Sequence, residues 1–407
     1  MIEYLLHIGT SRLTCLKTRV DRHGHKNIEE IKTRSADGFD KGIVKDLGKA
    51  SETLRSIFHE MDNANKETIY PIKTILSHHS LKNFIYGSSI YFHGTPRPIT
   101  MKDVREVIAQ TRSVATIPLD QIIVQAVPQE FIVNDMSGIY NPIGLEATRL
   151  GVMLRLFTMD YSVCNNLIRA MERVDIESRE FIPASLAAGQ AVLTPEEKEE
   201  GVILVDIGGY VTRLDFYKDS ILVKTVTLEK GSEDITQAIA KQVGLRPDHA
   251  RQLKEKFGTA ALDADFQEEL IPITTATNGE KRHIARKQLE AELKEPVEQL
   301  LSSITHAIQE MTNTTSPIGH VVFTGGGAKL DGLLDQMQER ISYSLRLGVP
   351  KSKFQIPPSL QDTAYSCVIG ALDYSSLILD PLENNAAGDS VLARAVDSAK
   401  RWVAEYF

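Results

Sequence analysis

GVILVDIGGYVTRLDFYKDSILVKTVTLEKG, residues 201–231, is the stretch on which the fold turns. It opens as an apolar, β-branched run that ends at Asp206 and a Gly208-Gly209 turn. Glycine lets backbone N–H groups approach an anion with no Cβ in the way, so a strand entering such a turn is the start of a phosphate-gripping loop. Two bulky side chains, Tyr210 and Arg213, follow directly. TRLDFYKD and SILVKTVTLEKG then continue as two more strands around a Lys-Asp-Ser turn. The stretch therefore reads as a nucleotide site, as a vestigial one, or as an ordinary hairpin.

The rest of the chain narrows the choice. Its 407 residues exceed what one hydrophobic core supports, so two or more domains are expected. Composition is that of a globular protein, 42% apolar and 25% charged. A formal charge of -8 leaves no basic excess to neutralise phosphates, which argues against general nucleic-acid binding. Cys15, Cys164 and Cys367 form neither a disulfide framework nor a metal cluster, as suits a reducing cytoplasm. The N-terminus has no signal-peptide pattern, and no run reaches the ~20 apolar residues of a spanning helix. A cytoplasmic protein is expected, with a surface-lying membrane contact left open.

Strands and helices alternate. YLLHIGTSRLTCLKTRV reads as a hairpin, and IVKDLGKASETLRSIFHEM as a helix. Between Leu81 and Asp160 the texture changes, with the helix KDVREVIAQTRSVA and the strands IIVQAVPQEFIVN and RLGVMLRLFTM, as though a block were inserted into an α/β domain. SVCNNLIRAMERV follows as a helix, and TPEEKEEG as an acidic connector. EDITQAIAKQVG and HARQLKEKFG are helices, each ending at a glycine of the left-handed cap type. IARKQLEAELKEPVEQLLSSITHAIQEM is a helical region interrupted at Pro296. HVVFTGGGAKLDGLLDQMQERI is strand, glycine turn and helix, whose N-terminus favours an anion. Two α/β halves thus each open with a hairpin near a glycine turn.

Three glycine turns carry the functional signal: HIGTS at 7–11, DIGGYVT at 206–212 and TGGGAKLDG at 324–332. In this order, together with GFDKGIVKDL, VPQEFIVNDMSGIYNPIGLEATRLGVMLRLFT, KGSEDITQAIAKQVG and AYSCVIGALDYS, they make the chain resemble the actin/Hsp70-type ATPase superfamily. Within it the chain resembles the FtsA family of bacterial cell-division actin homologues, over nearly all of residues 1–380. The pilus-assembly family PilM, which also has the insert, is the nearest competitor.

The resemblance implies an α/β, actin-like two-lobed fold. Subdomain IA would be 1–83 with 162–196, the inserted subdomain IC 84–161, IIA 197–228 with 317–380, and IIB 229–316. A linker would span 381–389. ATP, with or without Mg²⁺, would sit on Gly9, Thr10, Ser11, Asp206, Gly208, Gly209, Thr212, Gly231, Lys254, Gly325, Gly326 and Gly327. Asp206 would be the one metal ligand, and Asp206 and Glu180 the candidate catalytic acids. His7 stands where the family places the aspartate that holds hydrated Mg²⁺, and imidazole is a poor substitute for that oxygen. Tyr210 and Arg213 replace a glycine and an acid, and Arg251 a ribose-binding glutamate. Arg213 or Arg251 would offset phosphate charge if ATP binds; otherwise these residues merely pack the cleft. Glu180 would position a water, or else cap a helix start. Any ATPase activity is expected to be weak or absent.

After the linker, SVLARAVDSAKRWVAEYF at 390–407 places Leu392, Val396, Trp402, Val403, Tyr406 and Phe407 on one helical face. Such a helix can lie in a membrane surface, or dock on protein instead. The resemblance implies a peripheral protein of the division site, on the cytoplasmic face of the inner membrane. It would polymerise, tether FtsZ filaments by binding the FtsZ C-terminal peptide at IIB, and meet other divisome proteins and lipid. A PilM-like pilus scaffold and an actin-fold kinase are the rival readings.

Overall fold

The structure, a computed structural model, describes residues 2–22, 25–61, 70–261, 269–275, 281–313 and 318–374. The C-terminal segment read as a linker and membrane helix lies outside them, as do Leu392, Val396, Trp402, Val403, Tyr406 and Phe407.

Two five-stranded sheets share one topology. In the first, Ile2–Ile8, Arg12–Val20 and Lys26–Ser35 form an antiparallel meander, and Tyr70–Leu76 and Ile176–Pro183 add in parallel beside Ile2–Ile8. In the second, Val202–Ile207, Thr212–Lys218 and Ile221–Leu228 form the meander, and His320–Thr324 and Ser344–Leu347 add in parallel beside Val202–Ile207. The opening stretch is therefore three strands of one sheet. Its first strand is almost wholly buried because its sheet is covered on both faces, which is why VILVDI is a continuous apolar run rather than an alternating one.

Helices Leu47–Met61 and Tyr161–Glu172 cover the outer face of the first sheet through Leu54, Ile57, Leu167 and Met171. Helices Ser232–Val243, Pro247–Phe257 and Arg286–Asn313 cover the outer face of the second. A third core joins the two halves, with Leu5 and Ile75 of one sheet and Leu204 and Val322 of the other meeting across helices Ala184–Val192 and Ser366–Asp373. These helices are rich in small residues because they cross closely: a Cβ on Gly370 would lie 1.7 Å from the Ala187 carbonyl oxygen.

The inserted block is a four-stranded antiparallel sheet, ordered Met136–Ile139, Gln121–Val133, Arg149–Asp160, Lys82–Tyr91, with helix Met101–Val114 on one face. Thr100 and Asp103 cap that helix reciprocally. Strand Arg149–Asp160 runs on into the main body, where Phe157 joins the shared core and Met159 the core of the first lobe.

Four local expectations are corrected. Ile43–Val44 pairs with Phe39–Asp40 across the positive-φ residues Lys41 and Gly42, so the helix starts only at Leu47. TPEEKEEG is a helix, Pro195–Glu200, closed by a Thr194–Glu197 capping box with proline in its first turn, where no N–H is needed. Pro296 does not interrupt Arg286–Asn313. The buried stripe Leu289, Leu293, Val297, Leu300, Leu301 runs through it, and that packing outweighs a proline penalty of about 3 kcal/mol. Gly244 is a left-handed cap at φ 71°, but Gly258 is not, at φ -72°. Glycine fits position 258 for space, since a Cβ there would meet the Lys254 carbonyl at 2.5 Å.

Candidate functional site

The glycine turns converge where the two sheets face each other. The Tyr210 N–H donates to Thr10 Oγ1 at 3.0 Å, and a Cβ on Gly209 would lie 2.9 Å from that oxygen and 3.1 Å from Ser11 Oγ. Gly231 presses on the loop from behind, with its Cβ position 2.3 Å from the Gly209 carbonyl. The N–H groups of Ser232 and Glu233 donate to the Gly208 and Gly209 carbonyls at 3.0 and 2.7 Å. Thr212 Oγ1 donates to the Lys230 carbonyl at 2.8 Å. Gly325, at φ 86°, stacks on Asp206 so tightly that a Cβ would sit 2.4 Å from Asp206 Oδ1, and Gly327 packs on Ile207. Gly9 turns the first hairpin against the Arg12 carbonyl, and Gly326 lines the cleft. Lys254 donates to the Ser232 carbonyl at 2.6 Å, and burial pulls its ammonium down to about 8. Every glycine, threonine and serine named for nucleotide, and Asp206 and Lys254, thus belongs to one neighbourhood.

Tyr210 enters the turn without strain. It has no positive φ, the turn closing instead through Gly208 N–H to the Val211 carbonyl at 2.9 Å. Its ring lies under the Lys41 ammonium at 5.0 Å, and its hydroxyl accepts from Gln237 at 3.3 Å.

The cleft between the turns encloses a cavity of about 80 Å³, lined by His7, His78, Ser185, Asp206, Arg213 and Thr363 among others. That is smaller than the roughly 300–1,000 Å³ of pockets that hold small ligands. His7 is held by Ser77 Oγ at 2.9 Å on one ring nitrogen and Cys367 Sγ at 3.4 Å on the other. Burial pulls its pKa down to about 4, so it is neutral at pH 7. Burial pushes Asp206 up to about 6, with Asp215 adding to the rise and Arg213 opposing it. Arg213 is opposed to Asp206 in the register of the two strands and donates to the Leu81 carbonyl at 2.9 Å. Asp215, fully buried, is also pushed up by burial, while Arg213, Ser185 and Thr225 pull it the other way. His78 Nε2 and Thr363 Oγ1 line the cavity buried and without a hydrogen-bond partner, which fits a cleft built to face a polar ligand.

Two expectations fail here. Glu180 is not in the cleft: its carboxylate lies 3.6 Å from Lys73 Nζ, in a network with Glu3 and Lys26, and accepts from Gln125 at 3.3 Å. An ion-paired carboxylate pointing elsewhere cannot orient a water at the loops. Nor does the donor set fit Mg²⁺. Asp206 is the one carboxylate lining the cavity, and the Arg213 guanidinium leaves the same sheet face opposite it. Arg251 is likewise spoken for, donating to both oxygens of Glu233 at 2.6 and 3.3 Å. Ser77, His78 and Thr363 carry no motif in the sequence, and nothing in AYSCVIGALDYS marks Cys367, which only the fold brings to His7.

Known proteins agree with this architecture. A family model described as "Cell division protein FtsA" matches residues 203–370, and one described as "SHS2 domain inserted in FTSA" matches residues 85–158. The chain is similar to the cell division protein FtsA of Pseudomonas aeruginosa, at 26% identity over 98% of this chain and 96% of the relative. The FtsA of Bacillus subtilis is 28% identical over 91% and 82%, and that of Escherichia coli K12 27% over 98% and 94%. Among solved structures, the PilM-PilN type IV pilus biogenesis complex superposes with TM-score 0.62 at 14% identity, over 91% of this chain and 97% of the other. A MamK double helical filament gives 0.50 at 12%, over 91% and 97%. At such identities these two likenesses show the fold alone. The sheets, the insert and the sequence relatives point one way, and the chain belongs to the FtsA family of actin-like cell-division proteins.

Proposed function

We propose that the chain works in bacterial cell division as an actin-like scaffold. It binds a nucleotide in the cleft, assembles head to tail, and holds FtsZ filaments at the cytoplasmic face of the inner membrane. The observation that supports this reading is the insert: a complete small domain, matched by the model of the domain inserted in FtsA. Side chains seat it on the second lobe, with the Tyr140 hydroxyl donating to the Asp219 carbonyl at 2.8 Å and Arg155 to the Val223 carbonyl at 2.9 Å. The FtsZ C-terminal peptide would dock within 229–316, and other divisome proteins on the remaining faces. Turnover is secondary in this reading, since Glu180 is ion-paired away from the loops.

Membrane attachment would come from 390–407. Among the described residues no helix is long and apolar enough to cross a membrane. Fully burying a large apolar side chain stabilises by roughly 1.5–3 kcal/mol, and Leu392, Val396, Trp402 and Phe407 insert only in part. Ordering the segment also costs entropy, so one helix binds weakly and a filament of many binds by avidity. Sedimentation with anionic vesicles tests this. The wild-type chain should pellet and carry FtsZ filaments with it, while Trp402→Glu should stay in the supernatant with an unchanged circular dichroism spectrum. Equal pelleting of the two would remove the segment as the anchor.

A further inference from the structure

We propose that the cleft takes its anionic ligand, a nucleoside polyphosphate, without a divalent metal, and that the guanidinium of Arg213 stands where the cation would. The inference rests on the nucleotide reading above and deepens it. Asp206 and Arg213 are directly opposed in an antiparallel strand pair, so their side chains leave the same face of the sheet, and both line the cavity. A carboxylate that holds a hydrated divalent ion must offer its charge to that ion. Here a cation that cannot be deprotonated in a protein leaves the same sheet face from the opposed position of the next strand. A second, doubly charged cation at that spot would be repelled by the first. No other carboxylate lines the cavity to compensate. His7 supplies no oxygen, and both its ring nitrogens are engaged by Ser77 and Cys367.

The same geometry suits a phosphate. Arg213 is buried and its direction is set by the bond to the Leu81 carbonyl, so little rotamer freedom is left to lose when an anion arrives. Guanidinium carries five N–H donors in a planar fork that matches phosphate oxygens, and such charge-assisted bonds are about twice as strong as neutral ones. Two further polar groups face the same space. His78 Nε2 and Thr363 Oγ1, in residues 2% and 3% exposed, have no hydrogen-bond partner. Gly208, Gly325 and Gly326 leave bare backbone along the cavity's lining.

The test is titration calorimetry of the full chain with ATP, once in EDTA and once in millimolar Mg²⁺. Wild type should bind with dissociation constants that differ less than about threefold between the two. Arg213→Met should weaken binding in EDTA by about tenfold or more, the scale of one lost charge-assisted bond. Arg213→Lys, which keeps charge but not the fork, should fall between. A wild-type chain that binds ATP only with Mg²⁺ overturns the inference and leaves the nucleotide reading standing. No binding in either medium overturns both. Arg213→Met binding as well as wild type in EDTA removes Arg213 from the role. If that variant fails to fold, the wild-type comparison alone decides.

Discussion

Asp206 shows how one residue's environment sets its behaviour. Its carboxyl is held near 6, above the 3.8 of an unperturbed aspartate, because burial beside Asp215 outweighs the help of Arg213. The folded chain therefore binds more protons than the unfolded one between about pH 4 and 6, and loses stability as pH rises through that window. Above it the full penalty stands, on the order of 1–2 kcal/mol for a group partly in contact with water. Asp206→Asn removes the charge. It should melt about 1–3 °C higher than wild type at pH 8, with the difference vanishing near pH 4. Thermal melts at the two pH values check this, and an equal or lower melting temperature at pH 8 refutes it. Neighbouring His7 was legible as a departure from an acid, whereas its clasp between Ser77 and Cys367 was not, since those partners lie 70 and 360 residues away.

At the scale of elements, periodicity located most strands and helices, and errors fell where a local rule met a competing contact. Pro296 ought to break a helix, yet with its stripe packed on the second sheet the helix continues through it. Gly258 resembles a left-handed cap and is kept for space. Gly370 is the sharpest such case. Nothing in SCVIGALD shows that its backbone lies against Ala187, yet the crossing of helices Ala184–Val192 and Ser366–Asp373 ties the two lobes together. Gly370→Ala should force that crossing apart and destabilise by about 1–3 kcal/mol, the usual scale of overpacking. A urea titration reads this as a lower midpoint. No change would mean that the helices cross with more play than their spacing implies.

For the whole molecule, the insert governs the assembly test. Removing residues 84–161 would also strip Phe157 and Met159 from the cores of the main body, so lost filaments could reflect lost folding. Surface charge is the cleaner probe. Ile85 and Tyr91, at 50% and 68% exposure, lie on the edge strand of the insert, on the sheet face away from its helix. If the insert packs on the next subunit in a heterologous, non-closing contact, Ile85→Asp with Tyr91→Asp should abolish filaments seen by electron microscopy while the melting temperature stays put. Filaments of unchanged form would exclude this face from the contact.

By itself the sequence determined what depends on neighbours along the chain. Apolar runs set the strands, 3.6-residue periodicity set the helices, and glycine turns marked the ends of strands. The order of segments was enough to place the chain with the actin-like cell-division proteins. Tertiary structure alone decided what depends on distance through space. It turned Glu180 onto Lys73 and away from the cleft, and set Arg213 opposite Asp206 in strand register and onto the Leu81 carbonyl. It also pressed Gly370 onto Ala187. The physical reason is range. Backbone propensity acts within a turn or a strand pair, whereas burial, charge pairing and steric fit depend on residues that only folding brings into contact.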